Sequence, residues 1–537
     1  MKKTAIAWAL VTLLTIASIP SLYAQNSDKA AALAANFASG ANEISDYNTA
    51  CYFALSGNKK LALIYLTKAV KDGFSQPKTM LEDTDLSTLH NEPEWSMLVK
   101  LVRENELKEA TENNLFFNQP GFWESKSFKT PYRENISEDE KVAGLSKFWS
   151  EAKYNFVNFD LVPEINIDSL YFEYLPKVKN TQSTLEYYTV LTEMCAKLKD
   201  GHTNILAPDE LRNDVYARPL VRTRLIEDKV LIIEADSALQ KKGIKTGMEI
   251  VTVNGLPVKE YAAKFITPYQ SASTLQERNT RRYDFALLAG SIKQPVYLKL
   301  ADEKGKVSEH TISRVTPEER SSKMSYPAAE YKLLPGNISY LAINSFATDT
   351  GSKVFASKYN EMAQSKAIIL DVRNNGGGST DLKILRYFLD TTTLVDKMYT
   401  RKYISTFRAW QLPQSTMRND NIITPYKLHL NAKPLIILIS PRTFSAAEDF
   451  VAAFKAAKVG TIIGEASGGS TGQPLVITLP GHLTARICTK RDQLPNGDEF
   501  VGKGIQPDIT VSPTISDIRK GVDTQLEAAL KELNKLK

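Results

Sequence analysis

Four short stretches of this chain place reactive or backbone-exposing residues where ordered elements end. In the first, the apolar run Pro434 to Ile439 breaks at Ser440-Pro441, and Ser445 stands where a helix must begin. The residues Val451 to Lys458 then carry helical periodicity. A serine on a tight strand-to-helix turn projects its hydroxyl from the sheet rim. The helix start behind it offers free N–H groups and partial positive charge. A nucleophile whose attack creates an oxyanion needs that setting. The same residues, Ser445-Ala-Ala-Glu448, also spell a capping box, in which the serine caps the helix and Glu448 reaches back to it. On this segment alone both readings stand.

The second stretch is Ala367-Ile-Ile-Leu-Asp371 running into Gly376, Gly377 and Gly378, with a helix expected from about Asp381. Consecutive glycines let backbone N–H groups approach a ligand closely. They could serve a phosphate, an oxyanion or only a flexible turn. The two glycine-rich patterns that cradle nucleotides are absent from the sequence. The third is Gly464-Glu465 followed by a loop of small residues to Gly472, and the fourth is Asp200-Gly201-His202. Serine needs a base within about 2.6–3.2 Å. Of the five histidines only His202 sits in a glycine-flanked polar loop; His310 and His429 lie within apolar patterning.

The elements that must position these residues divide the chain. Residues 1–24 read as a signal peptide: Lys2 and Lys3, an apolar run from Ala5 to Ile19, and an exit at Leu22-Tyr23-Ala24. That run is too short for an ordinary membrane span, so a soluble protein, periplasmic or secreted, is expected. The remaining length, about 510 residues, suggests three or four domains. The net charge is +6, falling to +4 without Lys2 and Lys3 (65 basic against 61 acidic residues), and it is spread without basic runs, which excludes nucleic acid as the implied partner. Cys51, Cys195 and Cys488 are odd in number and far apart, and the histidines lack ligand spacing, so neither a disulfide framework nor a metal site is expected.

Residues 25–115 read as helical, with the small-aromatic-small spacing of one tetratricopeptide-like unit at Ala50, Phe53, Gly57, Ala62, Leu66 and Ala69. This region is a helical cap or a docking surface for a protein partner. Residues 116–215 read as a linker and a helical segment carrying His202. Residues 216–315 read as a β domain with one helix, a hairpin turn at Asn254-Gly255 and a Gly243 to Val258 stretch resembling PDZ-like modules. Such modules add a peptide to a sheet edge, though packing alone explains the residues equally. Residues 316–515 alternate strands (337–343, 367–372, 435–439, 460–464) with helices after the second and third, an α/β core with a largely parallel sheet. Residues 516–537 read as a C-terminal helix.

Taken together, Leu370 to Gly378, Thr443 to Glu448, Gly464-Glu465 with its loop, and Gly504-Ile-Gln-Pro-Asp508 resemble the carboxy-terminal-processing (tail-specific) serine peptidases and their tricorn-core-like relatives. The resemblance covers roughly residues 140–512. It implies a Clp-protease/crotonase-like core with Ser445 as nucleophile. The oxyanion hole would come from the amide of Ala446 and one from Gly376 or Gly377. No cofactor is implied, and the substrate would be a peptide or unfolded protein. The lysine that serves as base in the tail-specific branch is Ser470 here. The tricorn-like branch uses a histidine ahead of the core, which Asp200-Gly201-His202 resembles, although the serine preceding it there is Gly201 here. That branch orients the histidine with a late glutamate, for which Glu499 is the nearest candidate. The expectation is therefore a serine peptidase with His202 as base, losing activity near pH 6.5 as the imidazole protonates. The alternatives are an inactive relative acting as a peptide-binding scaffold, an adaptor using the helical and β domains, and a crotonase-type acyl transferase. The last is disfavoured because coenzyme A is not expected outside the cytoplasm.

Overall fold

The computed structural model describes residues 46–112, 119–430 and 433–535. The expected signal peptide lies outside them. The chain divides into two compact units, residues 1–125 and 126–537.

In the first unit the helices Asp46–Leu55 and Lys59–Lys71 form a hairpin. The chain reverses at Gly57, whose φ of +79° suits a residue without Cβ. Asn58 then caps the second helix by accepting from the Leu61 amide at 3.1 Å. Ala50, Ala62 and Leu66 are fully buried where the helices meet, and the helix Trp95–Glu112 closes the cluster through Leu98 and Val102.

The second unit is built around a six-stranded sheet. Its order is Ile509–Thr510, Thr461–Gly464, Leu435–Ile439, Ala367–Asp371, Ile338–Ile343 and Ala329–Leu334. All neighbours are parallel except the last pair. The two central strands are buried at every residue, which is why they read as unbroken apolar runs. Alternation still assigns the faces. Leu370, Ile437 and Ile462 face the helix Ala446–Ala456 with Phe450 and Phe454, each large side chain contributing about 1.5–3 kcal/mol by burial. Ile369, Ile436 and Ile463 face Ala529 and Leu533 of the C-terminal helix Thr524–Lys535. That helix is separated from a shorter one, Ile515–Lys520, by Gly521 at φ +69°, so the tail is two helices and not one.

Two further expectations need correction. After the glycine run no α-helix forms: the chain makes a single 3-10 turn, Leu385–Tyr387, and enters a long hairpin, Thr393–Lys402 with Ser415–Ile423. The β-branched run Thr391-Thr392-Thr393 favours that outcome. Second, the region 216–315 holds more than one helix. Its antiparallel sheet, with the turn at Asn254-Gly255 in the left-handed region, also carries helices at Val258–Phe265 and Leu275–Asn279, and a π-helical stretch Thr280–Ala286.

The histidine loop is held between layers. Helices Glu138–Asn155, Ile167–Lys179 and Thr184–Ala196 pack through Phe148, Tyr174 and Tyr187 onto a three-stranded sheet. The sheet's outer strand Asn204–Leu206 pairs antiparallel with Thr484–Cys488, so a strand just after His202 is fixed to the end of the core.

Candidate active site

Ser445 starts its helix with φ +58° and ψ −128°, far from the extended backbone that a helix cap adopts. A left-handed conformation is costly for serine and is held here by its surroundings. Ser445 and Glu448 are arranged as a capping box, but the hydrogen bonds divide the roles. The Ser445 amide lies 3.3 Å from Glu448 Oε2, and the Glu448 amide bonds the Ser445 carbonyl at 2.7 Å. The Ser445 hydroxyl points elsewhere: its Oγ lies 2.8 Å from His202 Nε2.

His202 is almost wholly buried, at 1% exposure, and its ring stacks on Phe444 with centroids 4.8 Å apart and planes 9° from parallel. Its loop is pinned through the backbone. Asp200 Oδ1 accepts from the His202 amide at 3.0 Å and the Thr203 hydroxyl at 2.8 Å. Ser271 and Ser273 hydroxyls bond the Asp200 and Gly201 amides, and Arg281 Nη2 donates to the Gly201 carbonyl at 2.8 Å. Arg281 in turn holds Glu277 Oε1 at 2.7 Å.

The other imidazole nitrogen, Nδ1, lies 2.9 Å from Ser470 Oγ. For Nε2 to accept the Ser445 proton, Nδ1 must carry the hydrogen and donate to Ser470. Ser470 also accepts the Ser445 amide through its carbonyl at 3.2 Å and donates its own amide to Glu448 Oε2 at 2.9 Å. Glu448 is fully buried and takes two further donors on Oε1, the Ser467 hydroxyl at 2.6 Å and the Gly469 amide at 2.7 Å. Burial pushes its carboxyl up to about 8, while those donors pull it back towards the charged form.

Glu499 is not beside His202. It pairs with Arg491 and accepts from Gln493 Nε2 at 2.6 Å, on the strand Lys490–Gln493 and the turn after it. Proximity in sequence to the expected motif placed it wrongly, because an arginine two strand positions from Gln493 captures its carboxylate. The groups that sequence reasoning missed are Ser470 as the Nδ1 partner and the Glu277–Arg281 pair.

The three amides expected to face an oxyanion also separate. Gly377 N–H is taken by Asn375 Oδ1 at 2.9 Å. Its contribution is closeness: a Cβ there would lie 2.6 Å from Ser445 Cβ and 2.8 Å from the Phe444 carbonyl. The Gly376 and Ala446 amides have no hydrogen-bond partner among the described residues. Gly376, Phe444 and Gly201 line a cleft of about 1320 Å³. Among the described residues there is no cluster of metal-ligating side chains.

Burial pushes the His202 imidazole down to about 3, with Arg486, Arg281 and Lys490 adding to the effect. The ring is therefore neutral at ordinary pH, able to accept a proton from a hydroxyl 2.8 Å away. The site as built is a hydroxyl, a neutral imidazole, and two unengaged amides, of which that of Gly376 belongs to the cleft lining.

Comparison with known proteins agrees with that class. Residues 337–511 match the model of peptidase family S41. The C-terminal processing peptidase of the Tetradesmus obliquus chloroplast is 25% identical over 345 residues, 61% of this chain and 68% of the relative. Carboxyl-terminal-processing peptidase 1 of the Arabidopsis thaliana chloroplast is 24% identical over 364 residues, 63% and 65% of the two chains. A carboxy-terminal-processing protease of Bartonella bacilliformis is 27% identical over 208 residues, 37% of this chain and 44% of the relative. The chain thus spans about two thirds of the first two relatives and under half of the third. The solved structure of mature CPAF complexed with lactacystin shares the fold, with a TM-score of 0.58 at 14% identity over 74% of this chain and 97% of that one. By class the chain is a serine-type peptidase. It is similar to peptidase family S41 over residues 337–511 and, over a longer stretch, to the carboxyl-terminal-processing peptidases.

Proposed function

We propose that the chain hydrolyses peptide bonds of peptides or unfolded proteins through an acyl-enzyme on Ser445, with His202 as general base. The observation that carries this reading is the 2.8 Å contact between Ser445 Oγ and His202 Nε2. His202 takes the serine proton as the oxygen attacks the substrate carbonyl. The resulting oxyanion rests on the Ala446 and Gly376 amides, aided by the positive end of the serine helix. His202 then gives the proton to the leaving amine, and water, deprotonated by the same ring, releases the acyl group. Ser470 orients the imidazole and Gly377 supplies the room that lets the chains meet.

The scaffold alternative has nothing in the site to favour it, since a serine kept only as a helix cap would relax into extended backbone. The finer assignments belong to the same reading. Residues 1–24 direct export to the periplasm or beyond, the β domain at 216–315 is PDZ-like and presents substrate, and the N-terminal helices are a tetratricopeptide-like docking surface. A fluorophosphonate probe tests the chemistry. Labelling at Ser445 that disappears in both Ser445→Ala and His202→Ala is expected; peptide cleavage retained by purified Ser445→Ala refutes it.

A further inference from the structure

The cleft beside Ser445 is lined by more arginines than aspartates. Asp284, the one aspartate of the lining that is deeply buried, is already shared between Arg224 at 3.5 Å and Arg442 at 3.9 Å. Arg486 differs from the rest. It lies on the strand Thr484–Cys488, directly across from Asn204, two residues beyond His202. Both Arg486 and Asn204 line the cleft. Its guanidinium is half-buried yet makes no hydrogen bond or ion pair among the described residues. Arg281, the second guanidinium near His202, spends its Nε on Glu277 and one Nη on the Gly201 carbonyl. Burial and the charge of Arg281 both lower the pKa of Arg486; the buried Asp200 carboxylate pulls it partly back but makes no hydrogen bond or ion pair with the guanidinium.

An unpaired guanidinium in a cleft is a fork shaped for a carboxylate. It also bears on the chemistry. The imidazolium that forms during acylation hydrogen-bonds no carboxylate, only the Ser445 and Ser470 oxygens, and it faces the charges of Arg486 and Arg281. An anion held on Arg486 would offset those charges when the imidazole gains its proton. Binding and turnover would then both improve.

Resting on the peptidase reading above, we propose that Arg486 is a specificity-determining residue that receives a substrate carboxylate beside the scissile bond, making the enzyme selective for acidic peptide segments. The carboxylate could belong to a Glu or Asp side chain or to the peptide's own C-terminus, and the test separates them.

Peptide pairs differing only in Glu against Gln near the cleaved bond, and in a free against an amidated C-terminus, are digested by wild type, Arg486→Gln and Arg486→Lys. Wild type is expected to prefer the carboxylate member about tenfold or more in kcat/KM, with part of the gain in kcat. The ratio collapses towards one in Arg486→Gln and is partly kept by Arg486→Lys. A preference carried by Glu over Gln identifies the side chain; one carried by the free terminus identifies the α-carboxylate. Equal cleavage of both pairs by wild type, or a preference that survives in Arg486→Gln, overturns the proposal while leaving the peptidase reading intact. If wild type cleaves neither pair, fluorescence anisotropy of the same peptides on Ser445→Ala decides. Tighter binding of the acidic member that depends on Arg486 supports the proposal, and equal or no binding ends it.

Discussion

Replacing Gly201 by alanine adds one methyl group at the most crowded point behind the imidazole. The backbone there tolerates a side chain, so the effect is one of packing. The new Cβ would stand 2.1 Å from Glu277 Oε1 and 2.8 Å from both Phe444 Cε2 and Ser470 Oγ. Real contacts of that kind need above 3 Å, so the carboxylate must retreat by about 1 Å or the loop must move. Glu277 is 2% exposed and cannot swing into water. Its retreat would stretch the 2.7 Å bond to Arg281 that also anchors the Gly201 carbonyl. Overpacking of this kind costs about 1–3 kcal/mol. If the loop moves instead, His202 Nε2 leaves its 2.8 Å contact with Ser445, and a displacement of about 1 Å costs about 100-fold in rate. Gly201→Ala should therefore acylate with a fluorophosphonate roughly 100-fold more slowly and melt a few degrees lower by calorimetry. Wild-type acylation with an unchanged melting temperature would refute the idea that this packing sets the histidine.

Other substitutions and conditions read different parts of the site. Gly377→Ala forces a Cβ to 2.6 Å from Ser445 Cβ in a backbone of φ +95°, and peptide hydrolysis should fall at least about 100-fold, measured as kcat/KM. Ser470→Ala removes the Nδ1 partner, so kcat should fall by about 10- to 100-fold with KM little changed, since no substrate contact is lost. Because burial lowers the imidazole to about 3, activity should persist well below pH 6.5, and a kcat/KM profile with a half-point near 6.5 would contradict the geometry. The same shift fixes the sign for stability: His202 stabilises the fold fully above the unfolded value of about 6.5, and that contribution drains away as pH falls towards 3, visible in urea midpoints. Arg373→Ala should cost about 3–5 kcal/mol in denaturant unfolding, because it abandons the buried Asp371 and cuts the tie to Asp523 ahead of the C-terminal helix.

The serine turn and the glycine run were readable because their physics is local: a buried strand, then residues that must turn, then helical periodicity. His202 was readable by its glycine-flanked loop. What failed was everything that depends on tertiary pairing. Glu499 carries the right chemistry, but Arg491 and Gln493 across its turn claim it, and no single sequence announces such a preference. Ser470 was visible only as a missing lysine; its hydroxyl and carbonyl acquire meaning once the loop folds against Ser445. Glu277 and Arg281 lay in a segment read as β domain. Their signal was present in Thr274, which caps its helix by accepting the Glu277 amide, a box signature at the standard spacing. The helix expected after the glycines lost to a hairpin whose strands gain partners from the far end of the core.

The pairing of Asn204–Leu206 with Thr484–Cys488 joins segments separated by most of the sheet, and the two reactive side chains stand 243 positions apart along the chain. A ribosome-bound copy, with His202 made and Ser445 still to come, has an imidazole without its hydroxyl partner. Contacts that distant form late because so much chain must be gathered first. Toothlessness while unfinished is thus built into the topology, with no blocking segment required.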